Sequence, residues 1–135
     1  MTLFVCLDNA GGMRFNHRRQ SRDAAVLRDI CTMVGGGRLL LRPDSEALFS
    51  AAPVRLIVCD APLDAAQDGD CCFLETPLSV GGMSKIATLI VYRWNRDYPA
   101  DVFFPSDAWR GFRLEHTADF PGTSHDKITK EVYVR

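Results

Sequence analysis

Apolar residues fall along this chain in short blocks, and the spacing inside the blocks switches between two periods. Residues 2–8 are almost continuously apolar, the pattern of a strand buried on both faces. Residues 9–12 then form a turn ending in Gly11-Gly12. In residues 21–34 the period changes. Leu27, Ile30, Cys31 and Val34 recur at i, i+3, i+4 and i+7, which makes one apolar stripe on a helix. Ser21 is the expected N-cap, with Asp23 in the first turn, and Gly35-Gly36-Gly37 ends the helix. Residues 38–42 read as a strand, and a second helix runs from the Asp44 cap to Phe49. Residues 55–59, 71–75 and 87–94 read as three more strands.

After residue 94, clusters of Pro, Asp, Gly and Ser separate two further segments, 111–120 and 124–135, rich in aromatic and β-branched residues. A loop joins them with no intervening helix, so they are expected as an antiparallel pair at a sheet edge. Strands alternating with helices over the rest of the chain predict a mixed, mostly parallel sheet flanked by helices. The fold class is therefore α/β, with residues 1–135 as one domain.

Composition narrows the setting. The chain has 135 residues, 47% hydrophobic and 24% charged, which suits one soluble domain with one core. No apolar run approaches the roughly 18 residues a membrane helix needs, so no membrane partner is expected. The first residues carry no basic region or cleavage signature and read as a strand, not a signal peptide. Five cysteines, an odd number, lie mostly in apolar runs, which points to free thiols and a cytoplasmic location. No CxxC, HxH or HExxH is present, so no metal site is expected. The formal net charge is -1, which makes nucleic acid an unlikely partner. Oligomeric state is not legible.

Residues 3–13, Leu-Phe-Val-Cys-Leu-Asp-Asn-Ala-Gly-Gly-Met, give an apolar strand, an Asp/Asn turn and a Gly. Residues 21–28 then give a helix start with Asp23. Near the other end come residues 90–94, Asp101, Phe104-Pro105, Ser124-His125 and an aromatic last strand. In order and punctuation these resemble the dihydrofolate reductase family, loosely over nearly the whole chain and more specifically toward its C-terminus. The resemblance implies that family's fold, a loop over a ligand cleft, and a catalytic acid at the position of Asp23. It also implies NADPH as cofactor and a pterin-like substrate. Several motifs depart from it. The family's Pro-Trp pair before the catalytic helix is His17-Arg18-Arg19-Gln20 here, and its Gly-Arg after the second strand is Arg42-Pro43. Residues 73–83 stand where the family grips the cofactor pyrophosphate. There Glu75 adds negative charge, Pro77 removes a donor, and Gly81-Gly82 comes several residues late. Weak or absent NADPH binding is expected.

The candidate chemistry follows. Asp23 donates a proton if burial raises its pKa, and otherwise orients a ligand amine or an Arg. Arg18, Arg19, Gln20 and Arg22, beside Gly11 and Gly12, form an anion site on the covering loop. Ser124-His125-Asp126 has the composition of a catalytic triad, but adjacent residues cannot form one. Tyr92 and Trp94 share one strand face and are expected in the core. These readings favour a divergent protein of the reductase fold, binding a small anionic or nucleotide-like ligand without the standard cofactor grip. The alternatives are an NADPH-dependent reductase and a protein-interaction module that keeps only the scaffold.

Overall fold

In the computed structural model, residues 1–77 and 80–135 are described. The main sheet is built from β1 (Thr2–Leu7), β4 (Arg38–Leu41), β5 (Arg55–Val58), β6 (Cys71–Phe73), β7 (Thr88–Arg93), β9 (Arg113–Phe120) and β10 (Ile128–Val134). Its order is β5-β4-β6-β1-β7-β10-β9. The first five strands in that order are parallel, and β10 and β9 add the expected antiparallel pair at the edge. Each of the five sequence-predicted strands is present, one or two residues shorter at its ends.

Side-chain alternation builds a core on each face of the sheet. Leu3, Val5, Leu7, Leu40, Cys72, Leu89 and Val91 pack on one side. Phe4, Leu39, Leu41, Cys71, Phe73, Ile90 and Tyr92 pack on the other. Helix α1 (Ala24–Val34) covers this second face through Val26, Ile30 and Val34, with Leu27 and Cys31 at the margin. Trp94 is buried in the same layer.

Three local expectations change. Asp23, not Ser21, is the N-cap of α1: its carboxylate accepts from the Ala25 N–H. The second helix is a 3-10 segment, Pro43–Phe49, and Asp44 lies inside its first turn. Pro43 supplies the fixed φ of that first turn, and no side chain caps it. The covering loop is a hairpin. Strands β2 (Gly12–Phe15) and β3 (Arg18–Arg19) pair, and β8 (Val102–Phe103) joins them in a second, three-stranded sheet. The turn between them is Asn16-His17 with φ of 51° and 64°, the left-handed pair a two-residue hairpin requires.

All five cysteines are free thiols. Burial pushes the Cys72 thiol up to about 12, so it is an inert core residue. The short helix α2 (Pro62–Ala65) follows β5 at the carboxyl ends of the strands. No helix among the described residues is long and apolar enough to cross a membrane.

Candidate functional site

The start of α1, the β2–β3 hairpin and the end of β6 meet over one cleft, lined by Cys6, Met13, Val26, Phe73 and Trp94 at its base. Two buried carboxylates stand at its edges, Asp23 and Glu75. The space left between them is about 20 Å³. That holds a water molecule, whereas small-molecule pockets run to roughly 300–1,000 Å³.

Protein side chains fill the cleft. Arg19 closes one edge with a bidentate pair to Glu75, Nε to Oε1 at 2.8 Å and Nη2 to Oε2 at 3.0 Å. Ser45 donates a further 2.7 Å bond to the same carboxylate. Gln20 closes the mouth. Its Nε2 donates to Asp8 Oδ2 at 2.9 Å and to the Pro99 carbonyl at 3.2 Å. Both neighbours are acceptors, so the amide orientation is fixed, and Gln20 Oε1 is left buried without a partner among the described residues. Gly12 is held just as tightly. A Cβ there would stand 2.6 Å from Ala100 Cβ and 2.7 Å from Gln20 Nε2. Its missing side chain makes room for the protein's own residues, not for a ligand. Gly11, at φ 82°, faces open space and serves the turn.

The predicted anion cluster is thus divided. Residues 18 and 19 lie on a strand, where successive side chains point to opposite faces. Arg19 faces the cleft and is neutralised by Glu75, while Arg18 faces outward and is exposed. Arg22 is exposed at the cleft rim. Arg18, Arg19, Gln20 and Arg22 do not converge on one point.

Asp23 is buried and accepts from every side. Ala25 N–H (2.9 Å), Thr123 N–H (3.0 Å) and Thr123 Oγ1–H (3.1 Å) reach Oδ1. Ser124 N–H (2.8 Å) and His125 Nδ1 (2.9 Å) reach Oδ2. Burial alone pushes the carboxyl pKa up. The Thr123 N–H, the His125 ring and the Ser124 and Ala25 N–H groups outweigh it and hold Asp23 well below the usual carboxylate range. This environment keeps the ionised form, the opposite of what proton donation by Asp23 requires. Gly122 makes the closure possible, since a Cβ there would fall 2.5 Å from Asp23 Oδ2.

His125 continues the chain of bonds. With Asp23 ionised, Nδ1 carries the proton and Nε2 of the neutral ring accepts. Tyr98 Oη lies 2.9 Å and Ser21 Oγ 3.1 Å from Nε2. Trp94 stacks on the ring with centroids 4.6 Å apart. Of Ser124-His125-Asp126, only His125 takes part through its side chain, while Ser124 contributes its backbone N–H. The His125 partners Ser21 and Asp23 stand about a hundred residues earlier in the chain, and Tyr98 stands 27 residues earlier.

At the carboxyl ends of β4, β5 and β6 lies a separate hollow of about 210 Å³, lined by Arg42, Asp60, Asp64, Thr76 and Pro77 among others. Among the solved structures that match nearly the full chain is a dihydrofolate reductase from Enterococcus faecalis complexed with NADP(H) and RAB-propyl. The match covers 99% of this chain and 95% of that one, at a TM-score of 0.69 and 12% identity. The chain has a dihydrofolate reductase-like fold. No family model matches the sequence, and no curated protein matches it.

The lining of the hollow carries more negative than positive charge. Around the hollow, two carboxylates face one guanidinium, and Arg42 Nη1 is already donated to the Asp60 carbonyl at 2.6 Å. Of the residues 73–83 expected to meet a pyrophosphate, Pro77 borders the hollow, while Glu75 turns into the filled cleft and is neutralised by Arg19. Part of the expected cradle, residues 78 and 79, lies outside the described residues.

Proposed function

We propose that this protein binds a small anionic, nucleotide-like ligand outside the closed cleft, on the solvent side of the β2–β3 hairpin. The observation that carries this is a groove of about 290 Å³ between Phe15, Asn16, Arg18, Tyr98 and Pro99. Its lining includes no carboxylate, it offers an exposed aromatic ring for stacking, and Arg18 has no ion pair among the described residues. Guanidinium forks and aromatic faces together suit a phosphate or carboxylate attached to a flat ring. Gln20 and Arg19 form the groove's inner wall while bonded inward. They therefore act as fixed support, with Arg18 as the exposed cation of the groove. Five free thiols support a reduced, cytoplasmic setting.

A thermal-shift and calorimetry panel of nucleotides, folates and NADPH tests the reading. A nucleotide should raise the melting temperature, and Arg18→Ala should remove the shift. Low-micromolar binding of NADPH or a folate, unaffected by Arg18→Ala, would replace it with the reductase alternative. Phe15 and Phe103, both about half exposed on the small sheet, favour the scaffold-only alternative in one respect. That alternative predicts a protein partner and no small-molecule response in the panel.

A further inference from the structure

Ser21, His125 and Asp23 stand in the order and at the distances of a serine nucleophile, its base and the base's orienting carboxylate. Ser21 Oγ is 3.1 Å from His125 Nε2, and His125 Nδ1 is 2.9 Å from Asp23 Oδ2. The inner pair is almost fully buried, with side-chain exposures of 2% and 0%, whereas Ser21 is partly exposed, so an ester reaches it from the solvent side and not through the filled cleft. Such a constellation is recognised by geometry and by role, not by order in the chain. Here the order is Ser21, Asp23, His125, on a fold whose resembled chemistry uses no serine nucleophile.

We propose that Ser21 is a nucleophile for acyl transfer, with small activated esters as the substrate class. His125 is the general base and Asp23 the positioning residue. In the forward step Ser21 Oγ bonds to the ester carbonyl carbon, and its proton passes to His125 Nε2. Asp23 holds the ring in the Nδ1–H tautomer and stabilises the imidazolium that forms. Tyr98 Oη, 2.9 Å from Nε2 and 3.5 Å from Ser21 Oγ, is the hydroxyl placed to donate to the carbonyl oxygen as it gains charge. Collapse of the tetrahedral adduct breaks the ester C–O bond, and the leaving alkoxide takes the proton from Nε2. Water then repeats the sequence on the Ser21 acyl ester. It releases the acid and returns the proton to Ser21, so the net change is ester plus water to acid plus alcohol. Trp94, stacked on the imidazole, fixes the ring plane and excludes water from one face. This inference does not depend on an anion in the hairpin groove.

The test uses the whole chain with a fluorophosphonate probe, read by intact mass and peptide mapping, alongside hydrolysis of p-nitrophenyl acetate. The expected result is one adduct, on Ser21, and esterase turnover above the buffer rate. Both should vanish in Ser21→Ala, whose melting temperature should stay near that of the parent because Asp23 and His125 remain paired. Asp23→Asn, assayed well below its own melting temperature, should lower the maximal labelling rate roughly 10²–10⁴-fold. Its half-saturating probe concentration should not change, a split that a purely structural role would not give. Tyr98→Phe should still label at Ser21, more slowly. An unlabelled parent, an adduct on Tyr98 or elsewhere, or labelling that survives Ser21→Ala would each overturn the proposal.

Discussion

The two carboxylates that flank the filled cleft are stabilised in different ways, and the difference separates structural from chemical potential. Glu75 is neutralised by a guanidinium fork and a serine, and its bonds end there. Asp23 is held by three backbone N–H groups, one threonine hydroxyl and one imidazole. The imidazole passes the interaction on to two hydroxyls near the surface. Glu75 with Arg19 is a clasp, because an Arg cannot release a proton under ordinary conditions. Asp23 with His125 is a relay, because a ring with one free nitrogen accepts a proton and returns it.

The largest effect should come from breaking the relay at its buried end. Asp23→Ala leaves the N–H groups of Ala25, Thr123 and Ser124 without their acceptor, and strands His125 Nδ1. Leaving buried donors unsatisfied costs about 1–3 kcal/mol each, several kcal/mol in all. Urea denaturation should show a loss of this size. Gly122→Ala should also destabilise the protein, without changing any charge, since its Cβ would meet Asp23 Oδ2 at 2.5 Å and the His125 carbonyl at 2.7 Å. Near-parental stability for both variants would mean that the two corners are energetically alike.

Opening the clasp should cost less. Arg19 is 28% exposed and regains water when Glu75 is removed, so the Coulombic part must be discounted for solvent. Glu75→Ala is expected to lose about 1–2 kcal/mol by the same denaturation measurement, chiefly charge-assisted hydrogen bonding. It should also enlarge the cleft. A folate that stabilises Glu75→Ala but not the parent would show that the clasp, rather than the cleft lining, excludes such ligands.

This contrast explains how far the sequence could be read. The inner strands of the main sheet were legible as short apolar runs, and the edge pair as aromatic and β-branched segments set between turn residues. The β2–β3 hairpin was missed because its turn is Asn16-His17, lacking the glycine that usually marks two left-handed residues. That miss spread to the site. Once residues 18 and 19 are on a strand, Arg18 and Arg19 must face opposite ways, and a convergent anion cluster dissolves. Asp23 lies at the cleft, but its partners lie mainly in the segment 123–125, about a hundred residues later. No local pattern links Ser21 to His125. A long-range pairing of this kind appears only when the sheet brings the last hairpin against the start of α1.

Acid should act more gently, through Asp23. The folded-state pKa of Asp23 lies below its unfolded value, near 3.9 for a free Asp. Between those two values the unfolded chain binds the extra proton and the native state does not. The stabilisation is therefore fully present above about pH 4 and fades as the pH falls toward the folded pKa. Melting temperatures of the parent should drop below about pH 4, and Asp23→Asn should show a shallower drop. Some acid dependence should remain in that variant. The Arg38 guanidinium, outweighing partial burial, lowers the Asp70 pKa in the same direction. An unchanged acid slope in Asp23→Asn would place the titrating carboxylates elsewhere and weaken the description of Asp23 as held ionised.

The smallest stability effect, and the sharpest test of where binding lies, belongs to Arg18. It is exposed, it has no ion pair among the described residues, and its neighbour Arg19 already serves Glu75. Arg18→Ala should change stability by no more than about 0.5 kcal/mol, as exposed substitutions usually do. The groove it borders also holds Phe15 and Tyr98, whose rings remain, so a loss of binding in this variant reports the charge alone. Arg18→Lys separates the two roles of the guanidinium. A lysine keeps the charge but offers a point ammonium in place of a planar fork. Calorimetry on the nucleotide found in the panel should therefore rank the parent first, Arg18→Lys second and Arg18→Ala last. Equal affinity in all three would move the anion site to Arg22 at the cleft rim. Binding would then sit beside Ser21, on the relay side of the molecule rather than the hairpin's outer face.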